Sequence, residues 1–150
     1  MKEYSTDKIR NIVLASHSGA GKTILCESFL HHTGATTRMG KIDDGTTVSD
    51  FDEEETRRQI SLYTSVIPVE YKDTKINFLD TPGYTDFVGE VISALRVADS
   101  ALVLVDSVSG LEVGTELAWG YCDRFNLPRF VLINKMDRDN ANYQKALQSI

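Results

Sequence analysis

Three apolar runs in this chain each lead into a short polar or glycine-bearing string, and no other feature constrains the fold as tightly. Ile12, Val13 and Leu14 precede Gly21-Lys22-Thr23, Ile76, Phe78 and Leu79 precede Asp80-Thr81-Pro82-Gly83, and residues 130–133 precede Asn134-Lys135-Met136-Asp137. A short continuous apolar run reads as a parallel strand covered on both faces. Strings that follow such strands gather along one edge of an open α/β sheet, the edge where these sheets bind ligands.

The intervening segments agree. Ile24, Leu25, Ser28, Phe29 and His32 have helical spacing, with Leu25, Phe29 and Ser28 predicted to face inward, and Gly34 is placed to end that helix. Residues 34–61 show little periodicity and predict a long loop, which in a compact domain is usually functional. Residues 62–71 predict a strand that Pro68 confines to a sheet edge. Lys72-Asp73-Thr74 predicts the turn into a strand over 75–79, completing an antiparallel hairpin. Phe87, Val91, Leu95 and Ala98 predict a helix, residues 101–105 a buried strand, and Val113, Leu117 and Tyr121 another helix. Tyr143, Ala146, Leu147 and Ile150 begin a last one. The sum is an α/β fold: a mostly parallel sheet with one antiparallel edge strand and helices on both faces.

One hundred and fifty residues suit a single domain with a real core. No apolar stretch is long enough to span a bilayer, and residues 1–10 lack the apolar segment of a secretory signal. Cys26 and Cys122, far apart and in no metal-binding spacing, predict reduced, buried or half-buried thiols of a cytoplasmic protein. A formal net charge of −6 argues against a broad nucleic-acid-binding face, though not against a local RNA contact.

Ser16-His17-Ser18-Gly19-Ala20-Gly21-Lys22-Thr23 has the strand–loop–helix context of a phosphate-binding loop, apart from Ser16 where the pattern has Gly. Small residues let successive N–H groups converge on phosphate oxygens, and the helix N-terminus adds positive potential there. Lys22 would neutralise charge between the outer phosphates, and the Thr23 hydroxyl would ligate Mg²⁺. Asp80, at the end of its strand, can hold Mg²⁺ through a water. Gly83 leaves its N–H free to reach a γ-phosphate, so that losing the phosphate releases the segment. A hydroxyl at Ser61 could complete the metal shell. Asp52 to Glu55 reads as a solvated helix-like face rather than a metal site. A carboxylate at Asp137 can accept from guanine N1–H and the exocyclic amine together. Adenine would leave it unpaired, at a cost of about 1–3 kcal/mol. The Lys135 stem can lie along the base, and Asn134 can brace the loop.

Taken together, these strings resemble the GTP-binding domain of the translational GTPases, elongation factor G-like members most closely. Residues 11–23, Thr33-Gly34, Gly40, Asp44-Gly45, Asp50 and Arg58-Gln59-Ile60-Ser61 fall into that family's register. So do residues 80–87, Arg96-Val97 and Asn134-Lys135-Met136-Asp137-Arg138. The resemblance implies a P-loop NTPase G-domain that binds GTP, GDP and Mg²⁺. It implies a ribosome, ribosomal RNA included, as the full-length protein's partner, and it makes a monomer without membrane attachment the expectation. It also implies that residues 1–150 are a truncated G domain, without its last strand, last helix and later guanine-contacting loop. Four departures stand out. Tyr84 replaces the His that orients the attacking water, Gln59-Ile60-Ser61 replaces Gly-Ile-Thr, Gly19 replaces the P-loop Asp, and Ser16 replaces Ala. Tyr84 and Lys22 are thus the candidate catalytic residues. A phenol is longer than an imidazole and a poorer proton-transfer group at neutral pH, so slower hydrolysis is expected. Alternatively, Tyr84 packs over an apolar gate and other groups hold the water. A GTP-occupancy switch with little or no hydrolysis, and a P-loop ATPase or kinase, are the competing functions.

Overall fold

The computed structural model describes residues 2–150. Five strands form one sheet: β1 Ile9–Ala15, β2 Ser65–Tyr71, β3 Thr74–Asp80, β4 Ser100–Asp106 and β5 Arg129–Asn134. Their order is β2-β3-β1-β4-β5, with β2 and β3 antiparallel and every other neighbouring pair parallel. The helices are α1 Lys22–His32, α2 Glu53–Arg58, α3 Val88–Leu95, α4 Val113–Arg124 and α5 Tyr143–Gln148.

Strand alternation divides the apolar residues between two layers. Leu14, Phe78 and Leu104 face Cys26 and Leu30 of α1, with Phe29 stacked on Phe78 at 4.5 Å between ring centroids. Their sequence neighbours Val13, Leu79 and Val103 face Ala94 and Leu95 of α3 and Cys122 of α4. Helices therefore cover both faces, as expected. Burying each Leu or Val contributes about 1.5–3 kcal/mol. Pro68 sits on β2, an edge strand, and Lys72 and Asp73 both take positive φ, the geometry of a tight two-residue hairpin turn. Gly34, at φ +74°, follows the last turn of α1, where a left-handed residue ends a helix.

Three expectations are corrected. Ser28 is exposed, and α1 instead buries Cys26, Glu27 and Leu30 between the half-buried Leu25 and Phe29. The helix marked by Val113, Leu117 and Tyr121 does form, as α4, and its buried residues are Thr115, Ala118 and Cys122. The strand predicted over 62–71 begins only at Ser65, because the Leu62 and Tyr63 amides donate to Glu55 rather than to a neighbouring strand. The loop over 34–61 contains α2, closed at its start by a reciprocal cap between Asp52 and Glu55. The helix-like reading therefore holds from Glu53, with Asp52 as the cap, but Glu55 is fully buried rather than solvated.

Both cysteines are free and buried. No helix among the described residues is long and apolar enough to cross a membrane.

Candidate nucleotide-binding site

Register brings the three strings together. Leu14 pairs with Asp80, and Asp106 with Asn134, so the carboxyl ends of β1, β3, β4 and β5 form one rim. The segment between β1 and α1 curls under that rim. Gly19 and Gly21 take φ +79° and +100°, a region that favours glycine. The N–H groups of Ser18, Gly19, Gly21 and Lys22 have no hydrogen-bond partner among the described residues, which leaves a nest of donors at a helix N-terminus.

Gly83 passes close against this loop. A Cβ there would stand 2.5 Å from the Ser18 backbone and 2.7 Å from Lys22 Nζ. Lys22 is buried, and its amine donates to Ser16 O, Ser16 Oγ and His17 O at 3.1–3.3 Å. Burial pulls that amine down to about 8, against the pull of Asp80. The hydroxyl of Ser16, at the loop's non-glycine position, thus becomes an anchor for Lys22.

The proposed metal ligands are also brought together. The Thr23 hydroxyl donates to Asp80 Oδ2 at 2.8 Å and lies 3.3 Å from Ser61 Oγ, which donates to Asp50 Oδ1 at 2.7 Å. Asp80 is 1% exposed, and its Oδ1 has no hydrogen-bond partner. Burial pushes its carboxyl up to about 6, although Lys22 and the Thr23 hydroxyl act in the other direction. A buried carboxylate oxygen without a partner, beside two hydroxyls, fits a hard divalent cation that keeps several waters. Among the described residues no three His, Cys, Asp or Glu side chains group into a metal site.

Asn134 bridges to the loop, its amide donating to Ala20 O at 2.9 Å. It passes so close to Gly21 that a Cβ there would lie 2.5 Å from Asn134 Nδ2. Lys135 takes φ +60° and pairs with Asp106 at 2.6 Å.

These elements border a cleft of about 560 Å³, within the range of small-molecule sites. Ser18, Gly19, Gly21, Lys22, Thr23, Ser61, Gly83, Tyr84, Asn134, Lys135 and Asp137 line it. Four candidates do not. Asp80 lies beneath Thr23, and Ala20 is in the core, offering its carbonyl to Asn134. Ser16 turns to Lys22. His17 turns to the start of α4, where its N–H donates to Thr115 Oγ1 and its Nδ1 accepts from Gly114 N–H. Sequence reasoning missed Gln59, Ile60 and Arg138 as lining residues and Asp106 as the partner of Lys135. Gln59 was singled out only as a departure. Its φ of +56° shows that the position does require a left-handed conformation.

A donor nest, a buried Lys and a Thr–Asp pair at the carboxyl edge of a parallel sheet define a P-loop nucleotide-binding domain. Residues 7–150 match the family described as the elongation factor Tu GTP binding domain. The chain belongs to that family, as a translational GTPase domain of the elongation factor G-like kind. It is 39% identical over its full length to elongation factor G of Granulibacter bethesdensis, covering 22% of that protein. It is 41% identical over 95% of its length to a mitochondrial ribosome-releasing factor 2 of Candida albicans, covering 18% of it. A solved structure from Thermus thermophilus superposes with a TM-score of 0.90 at 41% identity, over 94% of this chain and 21% of that one. The chain thus spans about a fifth of the length of the relatives it matches.

Proposed function

We propose that this domain binds GTP and GDP with Mg²⁺ and hydrolyses GTP to GDP and phosphate, within a larger protein that acts on the ribosome. The observation that carries the proposal is the hydroxyl–carboxylate chain from Asp80 through Thr23 to Ser61, beside Lys22 and the N–H nest. Thr23 and Ser61 would hold the metal directly, and Asp80 through water. Bound Mg²⁺ would offset the charge that develops on the phosphate oxygens. The N–H groups of residues 18–22 would cradle the phosphates, with Lys22 turning from the Ser16 and His17 oxygens to the outer two. The Gly83 N–H would sense the γ-phosphate. Asp137 would select guanine, with Asn134 and Lys135 as supports.

We place the chain as part of a G domain that continues in the full protein. The relatives are about five times longer, and the outer strand β5 leaves Phe130 71% exposed. A monomeric, cytoplasmic, non-membrane protein belongs to the same proposal.

Tyr84 favours a second possibility, a GTP-occupancy switch. Its side chain is 42% exposed, and its hydroxyl has no hydrogen-bond partner among the described residues. It stands between the cleft and a small groove lined by Val88, Val91 and Leu117. A phenol so placed is not oriented by the protein to hold a water.

Single-turnover GTP hydrolysis by the full-length protein, with and without ribosomes, distinguishes the two. Ribosome-stimulated turnover that rises in Tyr84→His supports the GTPase with a weakened catalytic residue. Absent turnover with intact GTP binding supports the switch. Strong turnover unchanged by His would reject both the occupancy switch and the assigned effect of Tyr84.

A further inference from the structure

Lys135 carries a left-handed backbone at φ +60° without being a glycine. Such a conformation persists only where the surroundings over-determine it. Here two consecutive residues at the end of β4 do so. Asp106 Oδ2 accepts from Lys135 Nζ at 2.6 Å, while Asp106 Oδ1 accepts from Val108 N–H at 2.8 Å, so the carboxylate cannot swing away. The Ser107 hydroxyl donates to Lys135 O at 2.8 Å, and the Ser107 N–H donates to Asn134 O at 3.0 Å. Asp106 is 8% exposed and Ser107 1% exposed. On the opposite side the loop is tied to the P-loop by the Asn134 amide on Ala20 O. The segment that carries Asp137 is therefore gripped from both sides, and Asp106 supplies the grip on the Lys135 side chain.

We propose that Asp106 and Ser107 are positioning residues for guanine recognition: they fix the Lys135 stem and backbone, and through them the Asp137 carboxylate two residues on. Neither residue lines the cleft. Their effect is exerted through Lys135, and it presupposes that this loop reads the base, as proposed above. A side chain held in its productive geometry before binding loses less freedom on binding, which is how an indirect contact raises affinity and selectivity.

Calorimetric titration of the full-length protein with GDP, IDP and ADP tests this. IDP lacks the exocyclic amine, so the GDP-to-IDP ratio reports how well the carboxylate is aimed. Asp106→Asn keeps the acceptor for Val108 and removes the negative charge that pairs with Lys135. It is expected to weaken GDP roughly tenfold and to shrink the GDP-to-IDP ratio. Lys135→Met should act similarly, and adding Asp106→Asn to it should cost nothing further. Ser107→Ala, which removes one hydroxyl, should move both quantities the same way by less, and it serves if the Asn variant does not fold. A purely structural ion pair would lower the unfolding temperature and leave the GDP-to-IDP ratio unchanged; that result would overturn the proposal. Equal GDP and ADP affinity in the unaltered protein would instead overturn base reading by the loop, and the positioning role with it.

Discussion

The hydroxyl of Thr23 donates to Asp80 Oδ2 at 2.8 Å, joining the first turn of α1 to the end of β3 beneath the cleft. That bond ties the phosphate-binding loop to the segment that would respond to the third phosphate. Removing it should separate metal-assisted from metal-independent binding. Thr23→Ala is expected to abolish most of the gain in GTP affinity that Mg²⁺ supplies, by tenfold or more, with affinity in chelator little changed. Thr23→Ser should retain the gain. GTP titrations with and without Mg²⁺ would show it, and a full metal effect in the Ala variant would remove Thr23 from the site.

Asp80 gives the metal-free, nucleotide-free protein an unusual pH profile. Burial lifts its folded pKa to about 6, above the ordinary carboxylate value. Between about pH 4 and 6 the folded state therefore binds a proton that the unfolded state does not. Stability from this group is present at low pH and is lost as pH rises through 6. A shift of this size corresponds to about 3 kcal/mol in the limit. Asp80→Asn should flatten the dependence, measured as the unfolding midpoint across pH 4–7. A midpoint in the unaltered protein that rises steadily across that range, and rises equally in the Asn variant, would contradict the assignment.

Glu27 is buried without a cation. Its two oxygens accept from Gly40 N–H at 2.8 Å and Val48 N–H at 2.6 Å, clasping both ends of a loop segment to α1. Glu27→Ala would leave two buried donors unpaired, at about 1–3 kcal/mol each. The loop is expected to open before the sheet does, so amide exchange at Gly40 and Val48 should accelerate tenfold or more while β1 and β4 stay protected. Unchanged exchange at both amides would rule out the clasp.

The same carboxylates show where the sequence ceased to be informative. The mostly parallel sheet, the hairpin and the three edge strings were legible because they depend on apolar runs and glycines. Over α2 only a solvated helix-like face was legible, because its one buried side chain is Glu55, and apolar periodicity is blind to a carboxylate that bonds backbone amides. Its Asp52-to-Glu55 spacing was the available signal, that of a reciprocal helix cap. The phase of α1 was misread for a related reason: the buried side includes Glu27, and spacing drawn from Leu25 and Phe29 put Ser28 there instead. The Asp106–Lys135 pair joins residues 29 positions apart and follows from strand register, which no local pattern reveals. The pocket-lining Gln59 was visible as a departure from the family's glycine, and its left-handed backbone is what that glycine pointed to.

Gln59 offers a gain of stability. At φ +56° a residue with a Cβ is strained by about 1–2 kcal/mol relative to glycine. Gln59→Gly is expected to raise the unfolding midpoint by a few degrees, and Gln59→Val to lower it by more. A midpoint that falls in the Gly variant would mean that the Gln59 side chain contributes more than its backbone costs.

The most direct test is nucleotide competition in the full-length protein. Labelled GDP should be displaced by GTP in the presence of Mg²⁺ at concentrations where ATP has little effect. Asp137→Asn should weaken GTP and favour the xanthine nucleotide, whose C2 carbonyl can accept from the new amide. Displacement by ATP as effective as by GTP, or selectivity unchanged in the Asn variant, would contradict the guanine site.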